Sequence, residues 1–259
     1  MEGLLLWIGG LALFFYGLIP LQIRFSQKMS AQPQFQPIDL TTVPEPAAHY
    51  LWSCQQAMEA EGFATVAHLS WENSAPNVFP IITLFMNRAA GVKAIAGVFY
   101  VVSAEGVKLT TRYVEFITRY GNGDVLQTSN AKSPGVFQHG PEQKTLRLPE
   151  MQNPHALYAV HCWRMEQRRG DAIEALPAPG TEIVRQQERM VEDYEEQVKF
   201  GRLYLDRSLG MYRPTWPGAY LMTWSQLPPM KDLRRAQERR KSQAALKELA
   251  AAAPQSQVY

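Results

Sequence analysis

The amino-acid sequence predicts an α+β protein: an N-terminal transmembrane helix, then an antiparallel β-meander flanked by helices, then long C-terminal helices. Three observations carry that reading. Residues 3–23 hold no ionisable side chain other than Tyr16, and at ~1.5 Å per helical residue such a run reaches across a hydrocarbon core of ~30 Å. Between residues 63 and 129 apolar side chains recur with the period of two that marks strands. After residue 153 the helical period returns, and acidic and then basic helical text fills the rest of the chain.

The anchor residues expected from the first run are Leu4, Leu5, Leu6, Trp7, Ile8, Leu11, Leu13, Phe14, Phe15, Leu18 and Ile19. A cleaved signal peptide needs a basic leader, a shorter apolar core and an A-x-A-like site. Only Met1 and Glu2 precede this run, and Ser26 to Ala31 offers no such site, so a retained anchor is preferred. Arg24 and Lys28 follow the run directly, and the positive-inside bias then places the body in the cytoplasm, in a single-pass arrangement. Cys54 and Cys162 lack the spacing of a disulfide framework. A Cys54–Cys162 disulfide stays open if the orientation is reversed.

Residues 24–46, rich in Gln and Pro, read as a spacer biased toward extended backbone. Residues 47–170 read as the α+β domain. Leu51, Cys54 and Met58 recur at helical spacing over 47–61, with Gly62 as the stop. Strands follow at 63–71, 78–86, 92–103, 108–120 and 125–129; Gly121-Asn-Gly-Asp124 is the strongest hairpin signal. Arg88 and Lys93 interrupt residues 78–104 and exclude a second span there. A short edge strand is expected at 145–148, and Asn153-Pro154 opens a helix to about Arg169. Residues 171–209 contain an acidic amphipathic helix capped by Thr181 and running to about Leu205.

Chemistry-bearing patterns are scarce. Of His49, His68, His139, His155 and His161, none has metal-ligand spacing, and His155 and His161 point to different faces of one helix. There is no G-x-S-x-G, Walker loop or dinucleotide fingerprint. Glu115, with Arg112 and Arg119 on the same strand, is either a site carboxylate or part of a solvated face. No cofactor and no metal is expected. A net charge of +2 argues against nucleic acid as a partner.

Residues 210–259 hold an aromatic segment broken by prolines and a basic helix ending in alanine-rich text. Trp216, Tyr220, Trp224, Lys231, Arg234, Arg235, Arg239, Arg240 and Lys241 are candidates for contact with a membrane surface, since Trp and Tyr favour the headgroup level and cations favour anionic lipid. The aromatics of 216–224 are expected to touch that surface or the base of the first helix; the alternative is that they pack on the α+β domain while the basic helix is a solvated face. Tyr113 to Asp124, Thr128-Ser-Asn130 and Arg213 to Trp224 resemble stretches of an uncharacterised family of bacterial single-pass membrane proteins. That resemblance implies placement in the bacterial inner (cytoplasmic) membrane and adds nothing about mechanism. The expected function is a membrane-anchored, non-catalytic protein-binding module, an accessory subunit of a membrane complex, with membrane lipid and a protein as partners. The rival is a membrane-tethered enzyme or small-ligand receptor with a pocket between meander and helices.

Overall fold

The computed structural model describes residues 3, 7, 10, 13–71, 77–132, 135 and 139–252. A π-helical turn, Phe14–Leu18, leads into α1 (Ile19–Ser26), β1 (Met29–Ser30), β2 (Gln36–Pro37), a 3-10 turn Leu40–Thr42 and α2 (Glu45–Ala60). The chain continues as β3 (Ala64–Ser70), β4 (Val78–Asn87), β5 (Val92–Ser103), β6 (Gly106–Arg119), β7 (Val125–Ser129), β8 (Gln143–Arg147) and α3 (Pro154–Glu166). It ends with α4 (Glu182–Lys199), β9 (Leu203–Asp206), β10 (Met211–Pro214), α5 (Trp216–Trp224) and α6 (Met230–Ala252). Two units result: the first is Met1–Gln34, Gly135–His139 and Ile183–Ala236; the second is Phe35–Pro134, Gly140–Glu182 and Gln237–Tyr259.

Among the described residues no helix is long and apolar enough to cross a membrane. This corrects the expected transmembrane helix and the single-pass placement in a bacterial inner membrane. The continuously described part is short: Phe14–Leu18 has five residues and α1 has eight, together rising roughly 20 Å against the ~30 Å of a hydrocarbon core. The cytoplasmic assignment, which needs a span to act on, loses its basis with it. Leu4, Leu5, Leu6, Ile8 and Leu11 lie outside the described residues. Trp7, Leu13, Phe14, Phe15 and Leu18 are exposed, and Ile19 is half-buried.

The second unit is built on a seven-stranded sheet of order β2-β3-β4-β5-β6-β7-β8. Neighbours are antiparallel as far as β7, as the alternating text predicts, but β8 returns parallel to β7. Residues 130–142 supply the long connection that a parallel return needs. The β6–β7 hairpin closes as expected at Gly121 to Asp124, with Gly123 at φ +89°. Phe63, Ile81, Phe85, Val98, Val114 and Phe116 face Leu51, Cys54 and Met58 of α2 and Leu157, Tyr158 and Val160 of α3 in one core. Phe63, Phe116 and Tyr158 meet ring to ring at 5.0 to 5.8 Å. Leu69, Ile82, Leu84, Met86 and Ile95, on the opposite face, are buried too, so β4 reads as a continuous apolar run instead of an alternation.

Residues 24–46, expected as a spacer, instead contribute two short strands. Phe35 and Leu40 are buried, and the Phe35 ring stands edge-on to Trp71 at 5.4 Å.

In the first unit the expected helix from Thr181 to Leu205 stops at Lys199. Gly201, at φ +69°, turns the backbone left-handed, and Arg202 N–H closes on the Gln197 carbonyl at 2.9 Å. Leu203–Asp206 then pairs with Met211–Pro214, and β1 adds to β10 as a third strand. Tyr194, Leu203 and Tyr212 form the small core. Thr215 caps α5: its Oγ1 accepts from Gly218 N–H at 3.1 Å. Gly218 lies so close to the loop before β9 that a Cβ there would sit 1.9 Å from the Arg202 carbonyl oxygen.

A Gly218→Ala substitution must therefore push α5 away from backbone, not from a yielding side chain. It is expected to destabilise the first unit by about 1–3 kcal/mol, read as a lowered urea midpoint. Gly135→Ala, whose Cβ meets nothing within 4 Å, should leave that midpoint unmoved.

Candidate functional site

Two groups of residues bear on function: a buried polar network in the second unit and an exposed aromatic face on the first. The network forms because α3 lays His161 against two strand threonines. His161 Nε2 lies 3.0 Å from Thr118 Oγ1 and Nδ1 lies 2.9 Å from Thr128 Oγ1. One turn further along α3, Arg164 donates to Thr128 Oγ1 at 2.8 Å and to the Lys144 carbonyl at 2.7 Å. Thr118 Oγ1 in turn donates to Met165 Sδ at 3.4 Å.

These contacts are consistent with one proton arrangement: with Thr118 donating to Met165, it accepts from His161 Nε2–H, and Nδ1 accepts from Thr128 O–H, whose oxygen takes the Arg164 N–H. Burial first, and then the Arg164 charge, push the imidazole pKa down to about 3. A neutral histidine with both nitrogens engaged inside a core joins α3 to β6 and β7. It has no free atom to offer a substrate.

The remaining histidines are dispersed. His68 Nδ1 lies 2.9 Å from Thr83 Oγ1 on β4, and burial holds its pKa below the usual value. His155 meets Glu61 at 2.7 Å on the surface, and His139 meets Glu196 at 3.2 Å. His155 is exposed where His161 is buried, as their spacing on one helix predicts. Cys54 and Cys162 are free thiols; burial pushes the Cys54 pKa up to about 11 and raises that of Cys162, which suppresses the reactive thiolate. Glu115 pairs in register with Ile95 and Ser129. Arg112 lies on the other face, its guanidinium 5.8 Å from the Tyr50 ring, so strand alternation separates it from Glu115. Among the described residues no group of three or more His, Cys, Asp or Glu is placed to hold a metal ion.

The tail aromatics gather on the first unit. Trp216 stands edge-on to Phe25 at 6.4 Å, Trp224 meets Tyr16 at 6.4 Å, and Tyr220 meets Trp224 at 5.4 Å. Arg24 lies 4.9 Å over the Tyr204 ring and donates to its hydroxyl at 3.1 Å. The expected contact of the aromatic segment with the base of the N-terminal helix is therefore present. Trp216 and Trp224 nonetheless stay exposed. The basic run is divided: Lys231, Arg234 and Arg235 belong to the first unit and Arg239, Arg240 and Lys241 to the second. Lys241 pairs with Glu238 at 3.3 Å.

One surface escaped the sequence reading. The β5–β6 ribbon continues past the start of β4, which pairs only as far as Val78 with Val101. Near that end Phe79 and Tyr100 stack at 5.2 Å with 19° between planes, and Val102 pairs with Val107. Phe79, Val102 and Val107 are exposed. The available signal was the apolar alternation Tyr100, Val102, Val107, Leu109 running to the hairpin tip.

The depressed His161 pKa has a pH signature. Between about pH 3 and 6.5 the unfolded chain carries the proton and the folded chain does not, so this contribution is full above pH 6.5 and lost as pH falls. The slope reaches at most about 1.4 kcal/mol per pH unit. His161→Gln, which keeps one donor and one acceptor, should be less stable at neutral pH yet lose less stability on acidification, as read from urea melts of both proteins across that range. Compared with known proteins, the chain matches no family model, no curated protein and no solved structure.

Proposed function

We propose that the chain is a non-catalytic protein-binding module whose contact is the outer end of the β5–β6 ribbon. The observation that carries this reading is the Phe79–Tyr100 stack beside Val102 and Val107. It sets apolar side chains in water on strands whose inner halves are buried. Interface centres are rich in aromatics and poor in charge, and rigid strands present them without an ordering cost. The rival reading as an enzyme or small-ligand receptor draws on His161, Glu115 and His68. His161 has both nitrogens committed to threonines, and Phe85 and Phe116 fill the space between sheet and helices, which favours the binding reading.

Photo-crosslinking in the native host tests it. A benzophenone side chain at position 102 or 107 should capture the same protein, and Phe79→Asp should weaken that purified partner's affinity by about thirtyfold or more, the loss of one interface anchor. Different adducts from the two positions, or an affinity unchanged by Phe79→Asp, would refute the proposal.

A further inference from the structure

The aromatic face of the first unit has a separate use. We propose that it seats on an anionic lipid surface, with Phe14–Ser26 and α5 lying in the plane of the headgroup boundary instead of crossing the bilayer. Exposure makes the first argument. Leu13 is 67% exposed, Phe25 58% and Leu18 51%; the helix rests on α5 through Tyr16–Trp224, and the Phe25 ring, exposed as it is, also meets Trp216 edge-on. On α1 and the turn before it, Leu18, Leu21 and Phe25 fall within about 60° of one another at ~100° per residue. The exposed polar pair Gln22 and Ser26 borders that stripe. This is the pattern of a helix that lies on an interface.

Composition selects lipid over protein as the occupant. Trp216 and Trp224 stay exposed beside the helix they pack on, and indole rings with one polar edge favour the headgroup level. The described N-terminal segment itself carries basic charge and no acid. No acid occurs between Gly3 and Ile38, Lys28 is exposed and Lys231 is half-exposed at the start of α6; Asp232 is the acid beside Lys231. Cations flanking an apolar stripe complement an anionic headgroup layer. The described helical stretch, too short to span, is long enough to lie flat, since in-plane binding scales with buried apolar area and not with reach.

Flotation of the full chain with vesicles tests this, using phosphatidylcholine alone and phosphatidylcholine mixed with phosphatidylglycerol. The expected result is flotation with the mixed vesicles, weakened by salt, reduced about tenfold or more by Leu18→Asp with Leu21→Asp, and reduced less by Lys28→Glu. Both apolar positions are exposed, and near-ultraviolet circular dichroism verifies that the variants fold. Tryptophan quenching by lipids brominated near the headgroup should exceed quenching by lipids brominated near the chain end. Failure to float, flotation indifferent to the aspartates, or dominant quenching from the chain ends would each overturn the proposal. So would a dimer that the same aspartates dissolve, because the face would then be occupied by a second copy. None of these results touches the β5–β6 contact, which is read by crosslinking.

Discussion

The second unit depends on one neutral imidazole. β7 is five residues long and β8, also five, is held to it by a parallel ladder, the weaker of the two pairings per residue. What secures this end of the sheet is α3. It reaches across with His161 to Thr118 and Thr128, and with Arg164 to Thr128 and the Lys144 carbonyl. Removing either partner of such a buried pair leaves an unsatisfied polar group, which costs about 1–3 kcal/mol. Each ring nitrogen faces a threonine hydroxyl, and burial keeps the ring neutral. Polar groups in this core thus specify the register of a helix against strands, a job that apolar packing does loosely.

The same logic holds at smaller scale. Asn130 accepts from Val114 N–H at 2.6 Å and donates to the Met151 carbonyl at 3.2 Å, tying the start of the long connection to β6 and to the approach to α3. Asn87 accepts from Ala90 N–H at 3.0 Å and donates to the Glu61 carbonyl at 3.0 Å, fastening the turn after β4 to the end of α2. Each is a side chain doing for irregular backbone what ladders do for strands.

Sequence legibility followed the range of the interactions. The strands β4 to β7, the Gly123 turn and the Asn153 cap were readable because local period and turn chemistry decide them. The stop of α4 at Lys199 was misplaced because Val198, Gly201 and Leu205 keep helical spacing; only the pairing of 203–206 with 211–214 overrides it. The N-terminal run misled for a related reason. Hydropathy records how apolar residues 3–23 are, whereas the described helix length and the packing of Tyr16 and Phe25 on α5 decide what the run can do. The strand residues of 24–46 were hidden by proline and glutamine, which signal extended chain but not a partner. Of the candidate surfaces, Trp216 and Trp224 were visible from composition, while the Phe79–Tyr100 stack needed a register that no local pattern supplies.

Parts of the large sheet's borders are guarded against further strands. On one side β2 is two residues long and contains Pro37, which has no N–H to give, and it covers β3 at Leu69 and Ser70. On the other, α6 brings Ser242 Oγ to the Arg147 carbonyl and Glu238 to the Arg147 guanidinium at 3.2 Å. At these places a neighbour's backbone finds little ladder to join, so anything that docks there is read through side-chain shape and charge.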